Sequence, residues 1–442
     1  MPNSSCIRET KRLDKKKPCG YITQKPDSFI GLFGMIHAMS LDTPLFALTI
    51  YTFITLNFFG WEFLHDKRYI AFVLGLVVLY VIARSSLIIR LLLLLTFIGV
   101  TVYWGSIQFM LVRHKTSVAG FINDSGVQVE VAGRYLLLGK NPYTESYEYS
   151  DLAQVPFLDD AGGTKNPALF HNAYPPLMLV LSAVGFRIAS QFLGFFDIRM
   201  VFLVFYTVLL LFGFVKFGLS ERLLLFGILV AANPLFLNSM MQGSNDVIIL
   251  AMLLWGLLFL ERKHVFWSGI CMGLAIAAKQ TAWLIVPFLL FYAWQNRKKG
   301  LVKNFLLPMG AVSGFVYVPF IVWDGKALFG NLILYMSGSL PTSYPINNFG
   351  FGTALVAMGI VKTIYDYYPF WIWQGSFGFL YLVLFWRAHF RRIRVVHILT
   401  GYTTLLCIIW FFNRFMNFSY LAFILVMLAI AYLWDNKSVH LT

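Results

Sequence analysis

Few side chains in this sequence can do chemistry, and most of those that can interrupt long apolar runs. Asp124 and Glu130 lie in INDSGVQVEVAGRYLLLGKNPY, Asp246 in MMQGSNDVII, Lys279 in LAIAAKQTAW and Arg414 in FFNRFMNFSY. A charge held at mid-helix in hydrocarbon costs on the order of 2.5 to 3.5 kcal/mol, so each invites a functional reason. A carboxylate at a membrane surface can take a proton or ligate a divalent cation, and a Lys or Arg can hold a phosphate. These groups are expected to converge on one face of the membrane.

Each charge also has a structural reading. Ser125 and Gln128 form an S-x-x-Q capping box opening a helix to about Leu138, with Gly139 as its stop. Asp124 then sits just before the cap, where the helix macrodipole stabilises an acid by about 0.3 to 1 kcal/mol. Glu130 and Arg134 are spaced i, i+4 and suit a helix-surface ion pair. Asn245 or Asp246 could cap the apolar helix after the GSN turn. Lys279 and Arg414 could snorkel to the interface, and His171 could be a loop histidine without a task.

The elements that must position these groups are membrane spans. The 442 residues are 59% hydrophobic and 12% charged, with 44 Phe, 22 Tyr and 12 Trp, which excludes an ordinary soluble domain. Apolar segments near 20 residues recur, and their backbones must be helical because hydrocarbon offers no hydrogen-bond partners. The pattern predicts an all-α polytopic membrane protein with about twelve spans, at 43–60, 69–84, 88–110, 198–216, 222–238, 246–260, 266–280, 282–294, 303–323, 369–387, 395–412 and 417–434. The net charge of +15 falls in short clusters between spans instead of on one basic face, so it reads as topology and not as nucleic-acid binding.

With a basic cytoplasmic tail at 1–42, loop 111–197 falls on the extracytoplasmic side. Segment 174–194 is then a juxtamembrane helix, because counting it as a span would put the basic clusters 296–303 and 387–394 outside. A second surface or re-entrant stretch is needed within 324–368. No cleaved signal peptide is read. Cys6, Cys19, Cys271 and Cys407 make neither a zinc pattern nor a disulfide framework. No inverted repeat is visible, which weighs against a secondary transporter.

DSGVQVEVAGRYLLLGKNPY, AYPPL, NPLFLNSMMQGSNDVIILAMLLWGLLFLERK and GICMGLAIAAKQTAWLIVPFLLFY, in that order within about residues 88–300, resemble the N-terminal module of GT-C fold glycosyltransferases. The likeness is strongest to bacterial polyprenyl-phosphate-sugar-dependent mannosyl and arabinofuranosyl transferases, and weaker to protein O-mannosyltransferases and the lipid A aminoarabinose transferase. It implies a GT-C fold whose large first extracytoplasmic loop carries juxtamembrane helices. The enzyme would sit in the plasma (inner) membrane among membrane lipids, with both termini cytoplasmic and the active site outside. It would move a sugar from a polyprenyl-phosphate donor to a lipid, glycan or protein acceptor by one inverting displacement.

Asp124 matches the loop acid that serves that superfamily as base. Tyr174, Pro175, Pro176 and Leu177 match its x-PPL motif, although Tyr174 replaces the lysine that contacts the donor phosphate in Lys-PPL members. Asp246 matches a second acidic motif that holds a metal in some relatives, so a divalent cation, Mg or Mn, is expected there at most; GSND lacks the D-x-D pair. The substrate contacts implied are Glu130, Asn141, Tyr143, His171, Tyr174, Gln242, Asn245, Asp246, Lys279, Gln280 and Arg414. Residues 43–300 would form the N-terminal transmembrane module, and 301–442 would select the acceptor or donor lipid. The competing readings are a transporter or flippase of a lipid-linked sugar or other anion, with Lys279 and Arg414 on its path, and a non-catalytic subunit.

Overall fold

The computed structural model describes residues 41–55, 66–117, 121–155, 157, 165–297 and 300–435. Nearly all of the expected tail, Cys6, Cys19 and the end of the first expected span lie outside them.

The described chain is helical almost throughout. The helices are α1 (Asp42–Thr55), α2 (Lys67–Ile82), α3 (Leu87–Thr116), α4 (Asp124–Leu137), α5 (Pro176–Phe192), α6 (Arg199–Phe217), α7 (Glu221–Ala231) and α8 (Pro234–Met241). They continue with α9 (Asp246–Glu261), α10 (Val265–Ala278), α11 (Val286–Gln295), α12 (Val302–Ser337), α13 (Phe351–Ala357), α14 (Phe370–His389), α15 (Val395–Phe411) and α16 (Phe418–Asp435). Among the described residues the one sheet is a parallel pairing of β1 (Asn347–Asn348) with β2 (Phe415–Met416).

Helices stand at every expected span position, but length and apolarity qualify five of them to cross a membrane: α2 extended to Ser85, α3, α6, α12 and α16. A sixth is added if α7 and α8, which meet at 47°, form one broken span. The break falls at Asn233, whose side chain accepts from Phe236 N at 3.1 Å while Pro234 starts the next helix. Helices α9, α10 and α15 have 16, 14 and 17 residues, short of the roughly 20 that a full span needs.

At the centre lies α9, DVIILAMLLWGLLFLE, apolar on every side and buried along most of its length. A helix with no polar face belongs inside, and α6 and α10 flank it, with α12 packed against α10. Helices on either side of position 300 therefore share one core.

In the long loop, α4 and α5 pack on each other. Helix α4 stops at Gly139, whose φ of +69° suits a residue without a Cβ. Its start differs from expectation. Asn123 is the N-cap residue and Asp124 is the first helical residue. The Ser125–Gln128 box does not form, because Gln128 Nε2 donates at 2.7 Å to the carbonyls of Ala168 and His171. Those loop carbonyls need a donor, and the Gln128 side chain is buried on the side facing them.

Gly133 brings α4 onto α5: a Cβ there would lie 2.5 Å from Ser182 Oγ and 2.8 Å from the Ala183 nitrogen. Backbone cannot give way as a side-chain tip can, so the clash outweighs the roughly 1 kcal/mol that Ala gains over Gly in a helix. Gly133→Ala should destabilise the detergent-solubilised protein by about 1 to 3 kcal/mol. The check is a fall in melting temperature; an unchanged or higher value would show that α4 and α5 are not held this closely.

Candidate functional site

A cleft of about 1280 Å³ opens where the start of α4, the end of α8, the α10–α11 junction and the segments around β1 and β2 converge. Asp124 and Lys279 are the only Asp, Glu, Lys or Arg residues that line it among the described residues.

Asp124 is half-buried at the head of α4. Ser125 N donates to its Oδ1 at 2.7 Å and Asn166 Nδ2 to its Oδ2 at 3.2 Å. Burial raises its carboxyl above the ordinary range, against the pull of those two hydrogen bonds. A carboxylate raised in this way is a stronger base and still has a free face toward the cleft.

Lys279 follows α10 in an extended conformation, φ −159° and ψ 142°, which ends the helix and turns the chain into the short 3-10 stretch Gln280–Ile285. Its Nζ donates to Asp246 Oδ1 at 2.5 Å, and Ser244 Oγ donates to Asp246 Oδ2, also at 2.5 Å. Asp246 is 3% exposed and opens α9. Beside it Asn245, 2% exposed and lining the cleft, keeps an Nδ2 with no hydrogen-bond partner among the described residues. A buried unpaired donor is costly, and a water or a ligand oxygen reaching it from the cleft would satisfy it.

This donor set does not suit a divalent cation. Both Asp246 oxygens are engaged, one of them by an ammonium, and among the described residues no group of three His, Cys, Asp or Glu is gathered. A Mg or Mn site needs several oxygen ligands free to converge.

Of the other residues expected at the site, Tyr174, Gln242, Asn245 and Gln280 line the cleft. The Tyr174 hydroxyl bonds to Ser125, and burial raises it. Gln280 Nε2 donates to Ala173 O at 2.8 Å, fixing the approach to Tyr174.

The remaining five lie away from the cleft lining. Glu130 is buried and bidentate with Arg113, both contacts 2.8 Å, and accepts from Ile198 N at 2.9 Å. The expected Glu130–Arg134 surface pair is absent, Arg134 binding Asp151 instead, because both Glu130 oxygens are taken up by Arg113. Arg414 is fully buried and donates to the carbonyls of Tyr344 at 2.5 Å, Asp366 at 2.8 Å and Ile364 at 3.0 Å. It ties the C-terminal loops together, and burial lowers its guanidinium to about 10, so it keeps its charge at neutral pH. Asn141 Oδ1 accepts from Tyr143 N at 3.0 Å, and Tyr143 OH donates to Tyr174 O at 2.6 Å, so this pair braces Tyr174 from behind. His171 Nε2 bonds to the Thr342 hydroxyl at 2.6 Å, and burial lowers its imidazole.

Sequence reasoning missed the far wall, where the β1–β2 pairing sets Asn347, Asn348, Asn413, Asn417 and Gln374 beside Trp371. Asn348 Nδ2 donates to Asn417 Oδ1 at 2.7 Å. Carboxamides can both donate to and accept from a hydroxyl, and an indole face packs on the C–H face of a sugar ring. The available signal was the density of amides in PINNFGFG and NRFMNFSY, within otherwise apolar surroundings.

Residues 131–295 match the family model described as "Alpha-(1->6)-mannopyranosyltransferase, N-terminal domain". The match covers less than half of the chain, includes Tyr174, Asp246 and Lys279, and begins after Asp124. It supports a mannosyltransferase of the GT-C type. No curated protein and no solved structure matches the chain.

Glu130 and Asp124 stand six positions apart on one helix with opposite surroundings. Glu130→Gln leaves Arg113 short of a buried counter-charge and should destabilise the fold by about 3 to 5 kcal/mol, read as a large drop in melting temperature. Equal stability of this variant and the native chain would remove Glu130 from the framework.

Proposed function

We propose that the protein transfers a mannosyl unit from a polyprenyl-phosphate donor to an acceptor hydroxyl by one inverting displacement, with Asp124 as general base. The observation that carries the reading is the pairing of charges in the cleft: one raised carboxylate to take a proton and one ammonium to face a phosphate. The acceptor oxygen attacks the anomeric carbon, its proton passes to Asp124, and the bond from that carbon to the phosphate oxygen breaks with its electron pair on the phosphate. Lys279 and the free Asn245 Nδ2 stabilise that leaving charge, which preoriented donors do best where water is excluded. The carboxamide and Trp371 wall suits sugar hydroxyls and ring faces.

Helix directions support an extracytoplasmic cleft. Helix α10 ends and α9, α14 and α16 begin beside it, so Lys263, Arg387, Arg391, Arg392 and Arg394 fall at or beyond helix ends remote from it. By the positive-inside rule that remote end is cytoplasmic. The reading is of a multi-pass plasma-membrane protein working on its outer face, with membrane lipids around the bundle and the donor's isoprenoid tail between helices.

Asp124→Asn should cut transfer by about 10²- to 10⁴-fold while leaving the melting temperature close to the native value. The measurement is product formed from a defined mannosyl polyprenyl phosphate and a mannoside acceptor, and full activity in that variant would sink the base assignment. The pH profile offers a separate check. The base acts deprotonated, so the rate falls as pH drops through its raised pKa. Asn166 holds that pKa down by donating to the carboxylate. Asn166→Ala should therefore raise it further and move the acid limb of kcat to higher pH, whereas an unmoved or lowered limb would dissociate the titrating group from Asp124.

A further inference from the structure

The two halves of the cleft chemistry come from distant parts of the chain, Asp124 from α4 and Lys279 from the end of α10, and one seam joins their supports. Asn123 N donates to Gln242 O at 2.8 Å and Asn123 Nδ2 to Gln242 Oε1 at 3.2 Å. Gly126 and Gly243 meet backbone to backbone: a Cβ on Gly243 would lie 3.0 Å from Gly126 Cα and 3.1 Å from Gly126 N. Gly243 also needs φ of +108°, a conformation that an L side chain rarely adopts. One residue further on, Ser244 bonds to Asp246, which holds Lys279.

Below the seam lies Arg199, fully buried. Its Nη1 donates both to Phe121 O at 3.1 Å and to Met241 O at 3.2 Å, one carbonyl from each side. Phe121 has φ of +63°, unusual for a residue with a Cβ, and the Arg199 contact fixes its carbonyl. Asp197 anchors Arg199 through Nε at 2.8 Å and Nη2 at 2.6 Å. Arg113 then links Asp197 to Glu130 on α4. Helix α4 is thus pinned at its entrance and along its length by one ion network, which also grips the turn leading to Asp246.

We propose that Arg199 and the Gly126–Gly243 contact are positioning elements that set the separation of the base Asp124 from the phosphate-binding Lys279. The proposal rests on the transferase reading. In an in-line displacement, the acceptor proton leaves on one side of the anomeric carbon as the phosphate leaves on the other. The rate therefore depends on the spacing of these two groups, while donor affinity depends on Lys279 and its own neighbours. Misplacement of about 1 Å at a reacting group can cost roughly 100-fold.

The test uses the full-length protein in detergent with mannosyl polyprenyl phosphate and a synthetic mannoside. Arg199→Lys keeps the charge opposite Asp197 but cannot reach both carbonyls. Gly243→Ala forces the seam apart without touching any charge, and it decides the matter if Arg199→Lys does not fold. The expected result is a fall in kcat of roughly 10- to 100-fold with donor KM within about threefold of native. The acid limb of kcat should also move to lower pH as Asp124 becomes better hydrated. A folded variant with native kcat and pH profile overturns the seam, as does a rise in KM at constant kcat. An inactive native protein overturns the transferase reading itself, which distinguishes the two failures.

Discussion

Four buried charges, Arg113, Glu130, Asp197 and Arg199, neutralise one another where α3, α4 and α6 meet. Such a network adds little net stability over a well-packed apolar alternative, because desolvating each charge offsets most of the attraction. Its effect is geometric. An unpaired member would be very costly in this setting, so the donors and acceptors have few arrangements in which all are satisfied. Arg113 and Arg199 flank Asp197 closely enough that, although burial alone would raise its carboxyl, their charges hold it well below the usual carboxylate range. Through Glu130 this network fixes the rotation of α4 about its axis, and with it the direction in which the first residue of that helix points.

The apolar bundle gives this polar framework its surroundings. Helix α9 has no polar face over most of its length, yet it begins with Asp246. Burying the helix therefore carries one carboxylate to the protein interior, where Lys279 at the end of the neighbouring α10 neutralises it. Both residues lie at helix ends, where the chain leaves the hydrophobic stack and backbone groups need other partners. The cleft forms at that level because the helices stop there.

Helix positions were legible in the sequence because hydrophobic runs and the Pro and Gly residues that bound them are local signals: Pro176 and Gly139 each mark a helix end as expected, whereas Pro234 breaks the single span expected at 222–238. The number of membrane crossings is less legible, because only five or six of these helices are long and apolar enough to qualify as spans by themselves. Site residues divided similarly. Asp124 and Lys279 stood out as polar breaks in apolar segments. Arg414 stood out for the same reason and serves a different end, since a buried guanidinium that binds three carbonyls looks in sequence like one awaiting a phosphate. Arg199 was overlooked at the head of an ordinary span. The amide wall depends on a contact between β1 and β2, about 70 residues apart in sequence, which no local pattern reports.

The charge balance of the cleft also constrains mechanism. A retaining double displacement needs a carboxylate nucleophile in addition to the acid–base group, the two about 5 to 5.5 Å apart on the reacting sugar. The second acid near this cleft is Asp246. It is bound through one oxygen to the Lys279 ammonium and through the other to the Ser244 hydroxyl, which leaves it a poor nucleophile and a good counter-ion. Freeing it would strip Lys279 of its partner, while in the proposed reaction the leaving phosphate would need that same cation. The two demands exclude each other, whereas the single displacement proposed above would set Asp124 and Lys279 to separate tasks at the same moment.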